Sequence, residues 1–275
     1  MKYSPKNMKN ILDENEFSFK KKFGQNFITD ENIIDAIISK AEIDKHTFVI
    51  EVGPGAGSLT YKLCKSASFV LCYEIDTNLK EILSENLKEE TNYKVVYGDF
   101  LKMNVLEELQ KHSISSLYLV ANLPYYITTP IIMKIIEDQI PIDKMVVMVQ
   151  KEVGDRFRAE PGSKEYNSLT IYLNYYFDIK KIMDVSKNVF MPKPNVDSIV
   201  VLFSRKKVSK NVQNEELFFK LVRDSFRQKR KTLRNNLKEY DLEKIETVLK
   251  EYGYDLSIRA ENLSLDIFIA IANHL

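Results

Sequence analysis

The chain has 275 residues, of which 44% are hydrophobic and 29% are charged, and this balance indicates a globular protein with a sizeable core. No apolar run reaches the roughly 18 residues of a membrane span, and the charged N-terminus lacks the pattern of a secretory signal. Cys64 and Cys72 stand apart without neighbouring histidines, which favours buried, reduced thiols and predicts a cytoplasmic protein that binds no metal.

The net charge of +1 conceals an uneven distribution of charge along the chain. Residues 205–238 contain twelve Lys or Arg against three Asp or Glu, a local excess of nine positive charges. The rest of the chain is therefore acidic. This basic window predicts that one end of the molecule binds a polyanion.

The first predicted elements are a helix over residues 30–41, with Asp30 as its N-cap, and then a series of strands. Apolar runs that alternate with amphipathic stretches are typical of an α/β fold with a parallel sheet covered on both faces. The predicted strands are residues 47–52, 69–74, 94–99, 117–122 and 144–150. Residues 177–184 and 197–204 are predicted to pair as a hairpin that closes one edge of the sheet.

The first predicted strand leads into a glycine-rich turn, 50-IEVGPGAGSLT-60. Gly53, Gly55 and Gly57 permit a tight turn and close approach of a ligand to the backbone, as in the first turn of nucleotide-binding folds. The third glycine comes one residue too early for the dinucleotide fingerprint, and Pro54 lacks an amide that could bind phosphate. The turn predicts an adenosine-like ligand without many phosphates, and a purely structural turn is the alternative.

Polar side chains end the next three predicted strands. Glu74 follows Gly57 by 17 residues, where a carboxylate can accept hydrogen bonds from both hydroxyls of a ribose. Asp99 can accept a hydrogen bond from an adenine amino group, and Asn122 ends the neighbouring strand. Any one of these residues could instead be an ordinary cap or turn residue, but three at one sheet edge favour a single ligand site.

After residue 210 the pattern predicts helices only, over residues 214–240, 241–253 and 264–275, with a domain boundary near Ser209 that separates residues 1–208 from 209–275. On the first helix an apolar face and a basic arc lie side by side. The apolar residues are Phe219, Val222, Phe226, Leu233 and Leu237, and the basic residues are Arg223, Arg227, Arg230, Lys231, Arg234 and Lys238. Opposite charges are nearly absent from the arc, which favours contact with an anionic partner over a solvated charged face.

The motifs GPGAG, YEID, GDF and NLPY, in this order, resemble those of the Rossmann-like, class I S-adenosylmethionine-dependent methyltransferases. The tetrapeptide 122-NLPY-125, preceded by 23-FGQNFI-28, narrows the resemblance to the ribosomal RNA adenine dimethyltransferases, with Ile28 where leucine is commoner. The resemblance covers most of the chain. Its C-terminal stretches, 226-FRQKRKTLRNNL-237 and 259-RAENLS-264, resemble the KsgA-type enzymes of the small ribosomal subunit more than the Erm-type enzymes of the large subunit.

The resemblance implies a mostly parallel seven-stranded sheet with an antiparallel edge strand, followed by a small all-α domain. It implies methyl transfer from S-adenosylmethionine to two adjacent adenosines in the hairpin near the 3′ end of 16S ribosomal RNA, on a small-subunit precursor, by a monomer. The implied cofactor-binding residues are Gln25, Asn26, Ile28, Gly53, Gly55, Gly57, Glu74, Ile75, Asp99, Phe100 and Asn122. The implied RNA-binding residues are Arg223, Arg227, Arg230, Lys231 and Arg234.

Adenine's exocyclic nitrogen is a poor nucleophile, because its lone pair is delocalised into the ring. Two hydrogen-bond acceptors, the side-chain oxygen of Asn122 and the backbone carbonyl of Leu123 or Pro124, can hold the amino group so that its lone pair faces the methyl group. Tyr125 offers a ring on which the extracted base can stack. The resemblance implies a second aromatic wall at Phe190, for which a role as a core anchor is the alternative.

Three other functions stay open. An Erm-type enzyme would methylate large-subunit RNA. A DNA adenine methyltransferase is less favoured, because Pro usually stands in those enzymes where this chain has Leu123. A ribosome-assembly factor could keep the fold and bind RNA with little turnover.

Overall fold

The computed structural model describes residues 4–20, 24–124, 127–207 and 211–275. The strands in these ranges are β1 (Phe27–Ile28), β2 (Thr47–Val52), β3 (Phe69–Glu74), β4 (Tyr93–Tyr97), β5 (Ser116–Asn122), β6 (Lys144–Gln150), β7 (Phe177–Val185), β8 (Phe190–Met191) and β9 (Ser198–Arg205). The helices are α1 (Pro5–Glu14), α2 (Glu31–Ala41), α3 (Ser58–Ser66), α4 (Lys80–Asn86), α5 (Val105–Leu109), α6 (Thr128–Glu137), α7 (Lys151–Phe157), α8 (Ser168–Tyr176), α9 (Glu215–Ser225), α10 (Leu233–Asn236), α11 (Leu242–Glu251) and α12 (Leu265–His274).

Seven of the described strands form one sheet in the order β4-β3-β2-β5-β6-β9-β7. Strands β2 to β6 pair in parallel, and β9 runs antiparallel to β6. β1 and β8 form a separate antiparallel ladder. The sheet confirms the predicted α/β fold, the five predicted parallel strands and the adjacent positions of β7 and β9 at one edge.

Burial on both faces of the sheet explains the continuous apolar runs of its central strands. Every residue of β2 is buried, and so are the five central residues of β5 and of β6. A parallel sheet covered by helices requires such runs, because neither face meets water. Since the strands are parallel, their carboxyl ends lie along one edge of the sheet, which is where a ligand site is expected.

Helix α2 follows the local signals of its sequence. The carboxylate of Asp30 accepts a hydrogen bond from the backbone N–H of Asn32 at 2.9 Å, which satisfies one of the free donors at the start of the helix. Glu42 ends the helix in the left-handed conformation. The helix predicted over residues 30–41, with its cap, is confirmed.

The chain divides into two compact units, each with its own hydrophobic core. Unit 1 comprises Met1–Gly154 and Lys180–Ser204, and unit 2 comprises Asp155–Ile179 and Arg205–Leu275. The unit 1 core surrounds the sheet, and the unit 2 core is built mainly from α8, α9, α11 and α12. The predicted boundary at Ser209 lies outside the described residues, so the division into residues 1–208 and 209–275 stays a prediction.

The continuous helix predicted over residues 214–240 is wrong. Helix α9 ends at Ser225, residues 226–232 form turns and α10 is a separate short helix. The hydroxyl of Ser225 donates to the Leu221 carbonyl at 2.7 Å, and the side-chain amide of Asn236 donates to the Ser225 carbonyl at 2.7 Å. These side chains donate hydrogen bonds to backbone carbonyls at the end of the helix and so allow the chain to turn there.

Tertiary hydrogen bonds also keep α10 separate from α9. The backbone N–H groups of Leu233 and Arg234 donate to the carbonyls of Ile258 and Leu256, at 2.8 and 3.1 Å, instead of to the preceding turn of a helix. The five residues of the predicted apolar face still pack in the unit 2 core. The predicted basic residues are all exposed, but they lie on α9, the turns and the region of α10 rather than on one helical arc.

Two further expectations concern membrane spans and thiols. In the described ranges, none of the helices has both the length and the apolar character that crossing a bilayer requires. Cys64 and Cys72 are free and buried, as predicted. Burial raises the pKa of the Cys64 thiol to about 12 and that of Cys72 well above its ordinary value, which keeps both thiols protonated and unreactive.

Candidate active site

The carboxyl ends of the parallel strands border a cavity of about 350 Å³ in unit 1, a size suited to a small organic ligand. Most of the predicted cofactor and acceptor residues line it. They are Gln25, Asn26, Ile28, Gly53, Gly55, Glu74, Ile75, Asp99, Phe100, Asn122, Leu123 and Pro124. The sheet therefore brings together residues that are far apart in the sequence.

The glycine-rich turn lines the cavity through Gly53 and Gly55. Gly55 has a φ of +59°, and a Cβ at this position would lie 2.7 Å from the ring of Phe27, so no other residue fits without displacing that ring. The N–H of Gly57 donates to the Pro54 carbonyl at 2.9 Å, and Gly57 then caps α3. Gly57 itself does not line the cavity. Its contribution is to the turn.

Glu74 ends β3 and is 4% exposed. Its carboxylate accepts hydrogen bonds from the backbone N–H groups of Gly55 at 3.1 Å and Asp76 at 2.8 Å. Burial nevertheless raises the pKa of Glu74 to about 7, and the negative charge of Asp76 adds to this effect. Each carboxylate oxygen keeps a further lone pair, so Glu74 can accept hydrogen bonds from two ligand hydroxyls.

The side of the cavity next to Glu74 is apolar. Ile75 is 45% exposed although it lines the cavity, and Phe100 packs edge-on against Tyr73 with 5.2 Å between ring centres. Asp99 accepts a hydrogen bond from the N–H of Leu101 at 3.1 Å, so it acts as a cap and lines the cavity at the same time. A flat, apolar ring with a polar edge would fit between these residues.

The N-terminal segment forms another wall of the cavity and is hydrogen-bonded to Asp76, next to Glu74. The buried carboxylate of Asp76 accepts hydrogen bonds from the ammonium group of Lys20 at 2.7 Å and the side-chain amide of Gln25 at 3.0 Å. Burial opposes ionisation, but these hydrogen bonds prevail and lower the pKa of Asp76. Because the N–H of Asp76 binds Glu74, one residue connects the N-terminal wall with the predicted ribose carboxylate.

The corner after β5 holds the predicted acceptor residues. The side-chain nitrogen of Asn122 donates to the backbone carbonyl of Asn26 at 2.7 Å, which fixes the orientation of the amide and leaves its oxygen as the accepting atom. Leu123 is 1% exposed, which anchors this corner. The Pro124 carbonyl accepts a hydrogen bond from the N–H of Ile127 at 3.1 Å and is 3.4 Å from the hydroxyl of Thr128.

Two predicted residues are not in this group. Tyr125 lies outside the described residues. Phe190 is 6% exposed, pairs with Ile28 across the β1–β8 ladder and belongs to the unit 1 core, and it does not line the cavity. A core anchor was the alternative for Phe190, and its predicted role as an aromatic wall for the target base stays a prediction.

Glu51 is a cavity residue that the sequence analysis missed. It lies within β2, is 1% exposed and contacts the thiol of Cys72, which donates to its carboxylate at 3.7 Å. Burial raises the pKa of Glu51 to about 8, and the charge of Glu74 contributes in the same direction. A carboxylate within an apolar strand is rare enough to have been a usable signal. The cavity thus contains two buried acidic groups, Glu51 and Glu74, whose neutral forms are favoured by burial.

We expect Glu51 to make folding stability depend on pH. Its pKa is about 8 in the folded state and 4.5 in the unfolded chain, so its stabilising effect is complete below pH 4.5 and is lost as the pH rises through 8. The free energy of unfolding should fall by a few kcal/mol, as an order of magnitude, between pH 5 and pH 8. In denaturant titrations, Glu51→Gln should remove the part of this fall that Glu51 contributes, while Glu74, whose pKa is also raised, keeps its own contribution. The same fall in Glu51→Gln as in the exposed control Glu85→Gln would contradict the assignment.

The site has no ready metal ligands and fits S-adenosylmethionine. The described residues include no group of three or more His, Cys, Asp or Glu side chains that could bind a metal ion. The buried carboxyl group of Glu74, an apolar slot beside Ile75 and the absence of an amide on Pro54 match an adenosine-containing ligand without phosphates. Glu74, Asp99 and Gln25 would hold its polar groups.

The seven-stranded sheet, with its antiparallel edge strand and a cavity at the carboxyl ends of the parallel strands, defines a Rossmann-like, class I S-adenosylmethionine-dependent methyltransferase. The model of one family, described as ribosomal RNA adenine dimethylase, matches residues 16–275. The chain belongs to the ribosomal RNA adenine dimethylase family.

Individual proteins are similar over nearly the whole chain. The "Ribosomal RNA small subunit methyltransferase A" of Oceanobacillus iheyensis is 44% identical over 98% of this chain and 95% of its own length, and that of Staphylococcus aureus (strain bovine RF122 / ET3-1) is 47% identical over 96% and 92%. The crystal structure of a dimethyladenosine transferase from Plasmodium falciparum superposes with a TM-score of 0.75 at 27% identity, covering 89% of this chain and 95% of that one. The 23S rRNA methyltransferase ErmE has a TM-score of 0.73 at 24% identity, covering 90% and 99%, and shares the fold.

Proposed function

We propose that this protein transfers methyl groups from S-adenosylmethionine to the exocyclic amino nitrogens of two adjacent adenosines in the hairpin near the 3′ end of 16S ribosomal RNA. The observation that carries the proposal is the Asn122 amide, which the Asn26 carbonyl orients at the edge of the cavity. The names of relatives at 44% and 47% identity favour small-subunit RNA over the Erm-type alternative.

The residues at the acceptor corner orient the target amino group. The side-chain oxygen of Asn122 accepts one amino hydrogen, and a backbone carbonyl accepts the other, so that the nitrogen lone pair faces the reacting carbon. Of the two carbonyls considered, that of Leu123 is the better candidate, because the Pro124 carbonyl already accepts the N–H of Ile127. Both acceptors are uncharged, so they orient the amino group without first removing its proton.

The cofactor residues position the methyl donor. S-adenosylmethionine supplies a methyl group bonded to a positively charged sulfur. Glu74 accepts hydrogen bonds from the ribose hydroxyls, and Asp99 accepts one from the adenine amino group. Ile75 and Phe100 cover the adenine ring. Tyr125 and Phe190 remain our candidates for stacking on the target base.

The proposed partner is RNA in a precursor of the small subunit, bound by a monomer in the cytoplasm. The test is incubation of under-methylated small subunits with labelled S-adenosylmethionine, followed by mass mapping of the labelled adenosines. We expect dimethylated adenosines at two adjacent positions near the 3′ end. Label confined to large-subunit RNA would support the Erm-type alternative, and failure to bind S-adenosylmethionine in calorimetry, even with RNA present, would support a binding factor.

We expect the exposed arginines of unit 2 to contribute to RNA affinity through phosphate contacts. Replacing Arg227, Arg230 and Arg234 together by alanine should weaken RNA binding and reduce the slope of log K against log salt by about two to three, since each lost phosphate contact removes roughly 0.7–0.9. The measurement is fluorescence anisotropy across a salt series. An unchanged slope would show that these side chains do not contact phosphates.

The matched control removes the same number of charges from unit 1. Lys88, Lys102 and Lys111 are exposed there, at 62%, 83% and 55% of their side-chain areas. Their joint replacement by alanine should leave the salt slope close to that of the wild-type protein. An equal loss in both triple variants would indicate a general effect of net charge.

A further inference from the structure

Two exposed tyrosines lie on the connection between α11 and α12. Tyr252 is 46% exposed and Tyr254 is 39% exposed, and both are among the few large apolar side chains that the described residues leave in solvent. The described residues form no ring contact with either side chain. Isolated exposed tyrosines are ordinary, so their surroundings decide what they can bind.

The backbone beneath these rings is fixed. The N–H groups of Tyr252 and Tyr254 both donate to the Leu249 carbonyl, at 3.0 and 2.9 Å, and the N–H of Gly253 donates to the Lys250 carbonyl at 3.1 Å. Leu256, two residues further on, is 2% exposed and anchors the loop in the unit 2 core. Rings on a fixed backbone lose little freedom on binding, which favours stacking.

This loop lies beside the basic segment, which we define as residues 227–234. The N–H groups of Leu233 and Arg234 donate to the carbonyls of Ile258 and Leu256, at 2.8 and 3.1 Å, so the two stretches of backbone are adjacent. The basic segment contains five Lys or Arg and no acidic residue. Two acidic residues flank the tyrosines: Asp255 accepts the N–H of Ser257 at 2.7 Å within the loop, and Glu251 is exposed at the end of α11.

One arginine of the basic segment has an acidic neighbour: hydrogen bonds from Ser257 and, to a smaller extent, the charge of Arg234 lower the pKa of Asp255. Arg227, Arg230 and Arg234 are exposed, and none forms an ion pair with a residue that the structure describes. Cationic side chains beside aromatic rings are the combination that binds single-stranded nucleic acid, because phosphates meet the charges while bases stack on the rings. A duplex offers the same phosphates but keeps its bases stacked inside.

We propose that Tyr252 and Tyr254, together with the basic segment, bind an unpaired stretch of RNA, with the two rings stacking on its bases. This surface rests on the proposed function, because it concerns how residues that do not line the cavity bind the same RNA substrate. It assigns to unit 2 a preference for unpaired RNA as well as a general attraction for phosphates.

The test compares fluorescein-labelled oligoadenylate with the same strand paired to oligouridylate. The double variant Tyr252→Ala/Tyr254→Ala should bind the single strand at least about tenfold more weakly, whereas its affinity for the duplex should change less than about twofold. Its salt slope should equal that of the wild-type protein, because no phosphate contact is lost. The double variant with Phe at both positions should bind the single strand like the wild type, since the rings remain.

The controls separate stacking from other effects. Leu106→Ala removes an exposed apolar side chain of unit 1, 36% exposed, and should change neither affinity. Unchanged single-strand affinity, or an equal loss on single strand and duplex, would overturn the proposal. Normal binding to naked RNA with weaker binding to small subunits would also overturn it, because the surface would then contact a ribosomal protein. Methyl transfer by the wild-type protein reports on the proposed function independently.

Discussion

Replacing Asn122 by alanine should lower kcat by roughly 10²–10³-fold while changing the affinity for S-adenosylmethionine only slightly, since removal of one oriented polar group at a reacting centre has effects of this size. Alanine lacks the oxygen that accepts an amino hydrogen. It also frees the Asn26 carbonyl, to which the Asn122 amide now donates at 2.7 Å. Single-turnover methylation of RNA, with cofactor affinity measured by calorimetry, checks both parts.

A control variant at another side-chain amide distinguishes a catalytic effect on kcat from a loss of structure. Asn174 also donates to a backbone carbonyl, that of Thr170 at 2.8 Å, but it lies in unit 2. Asn174→Ala should leave kcat unchanged. Weakened cofactor binding with an intact rate in Asn122→Ala would show that this residue belongs to the cofactor site.

We expect replacement of Glu74 to weaken cofactor binding and to leave kcat nearly unchanged, which is the reverse of the expectation for Asn122→Ala. Glu74→Ala should weaken S-adenosylmethionine binding by roughly 10²-fold or more, because two hydrogen bonds to a charged acceptor are lost at about 1.5–3 kcal/mol each. At saturating cofactor, kcat should change little. Exposed Glu85 on α4 provides a control, since Glu85→Ala should bind the cofactor normally. A large fall in kcat with unchanged cofactor affinity would contradict the assignment of Glu74.

Glu74 should also make cofactor affinity depend on pH. Burial raises its pKa to about 7, and hydroxyl donors favour the ionised carboxylate, so affinity should rise as the pH increases through 7. Glu74→Gln should lose that rise. Calorimetry from pH 6 to pH 8, performed in the Glu51→Gln background to remove the second titrating carboxyl, isolates the effect of Glu74.

Local signals in the sequence were enough to place the sheet and much of the cavity. Continuous apolar runs identified β2, β3, β5 and β6, and an Asp cap identified α2, because these features depend on neighbouring residues. Once the strands are parallel, Glu74, Asp99 and Asn122 must lie at one edge. These three residues could therefore be grouped without knowledge of long-range contacts, whereas Gln25, Asn26 and Ile28 were implied only by the family resemblance.

The errors arose where distant residues decide the structure. Periodicity favoured a single helix over residues 214–240, but hydrogen bonds from Leu233 and Arg234 to the 256–258 stretch end that pattern. The pairing of Phe190 with Ile28 could not be predicted from local patterns, and the role of Phe190 as an aromatic wall stays a prediction. Glu51 was overlooked although a carboxylate within a predicted buried strand was a usable signal, and the assembled sheet leaves it 1% exposed.

The β1–β8 ladder has a consequence for the order in which the molecule matures during translation. Phe27 and Ile28 pair with Met191 and Phe190, and the wall formed by residues 24–28 includes the Asn26 carbonyl that holds Asn122. The early part of this wall leaves the ribosome long before its partner strand has been synthesised. A nascent chain can therefore complete this wall of the cavity only after about two thirds of the protein has emerged, which delays a finished cavity until late in synthesis.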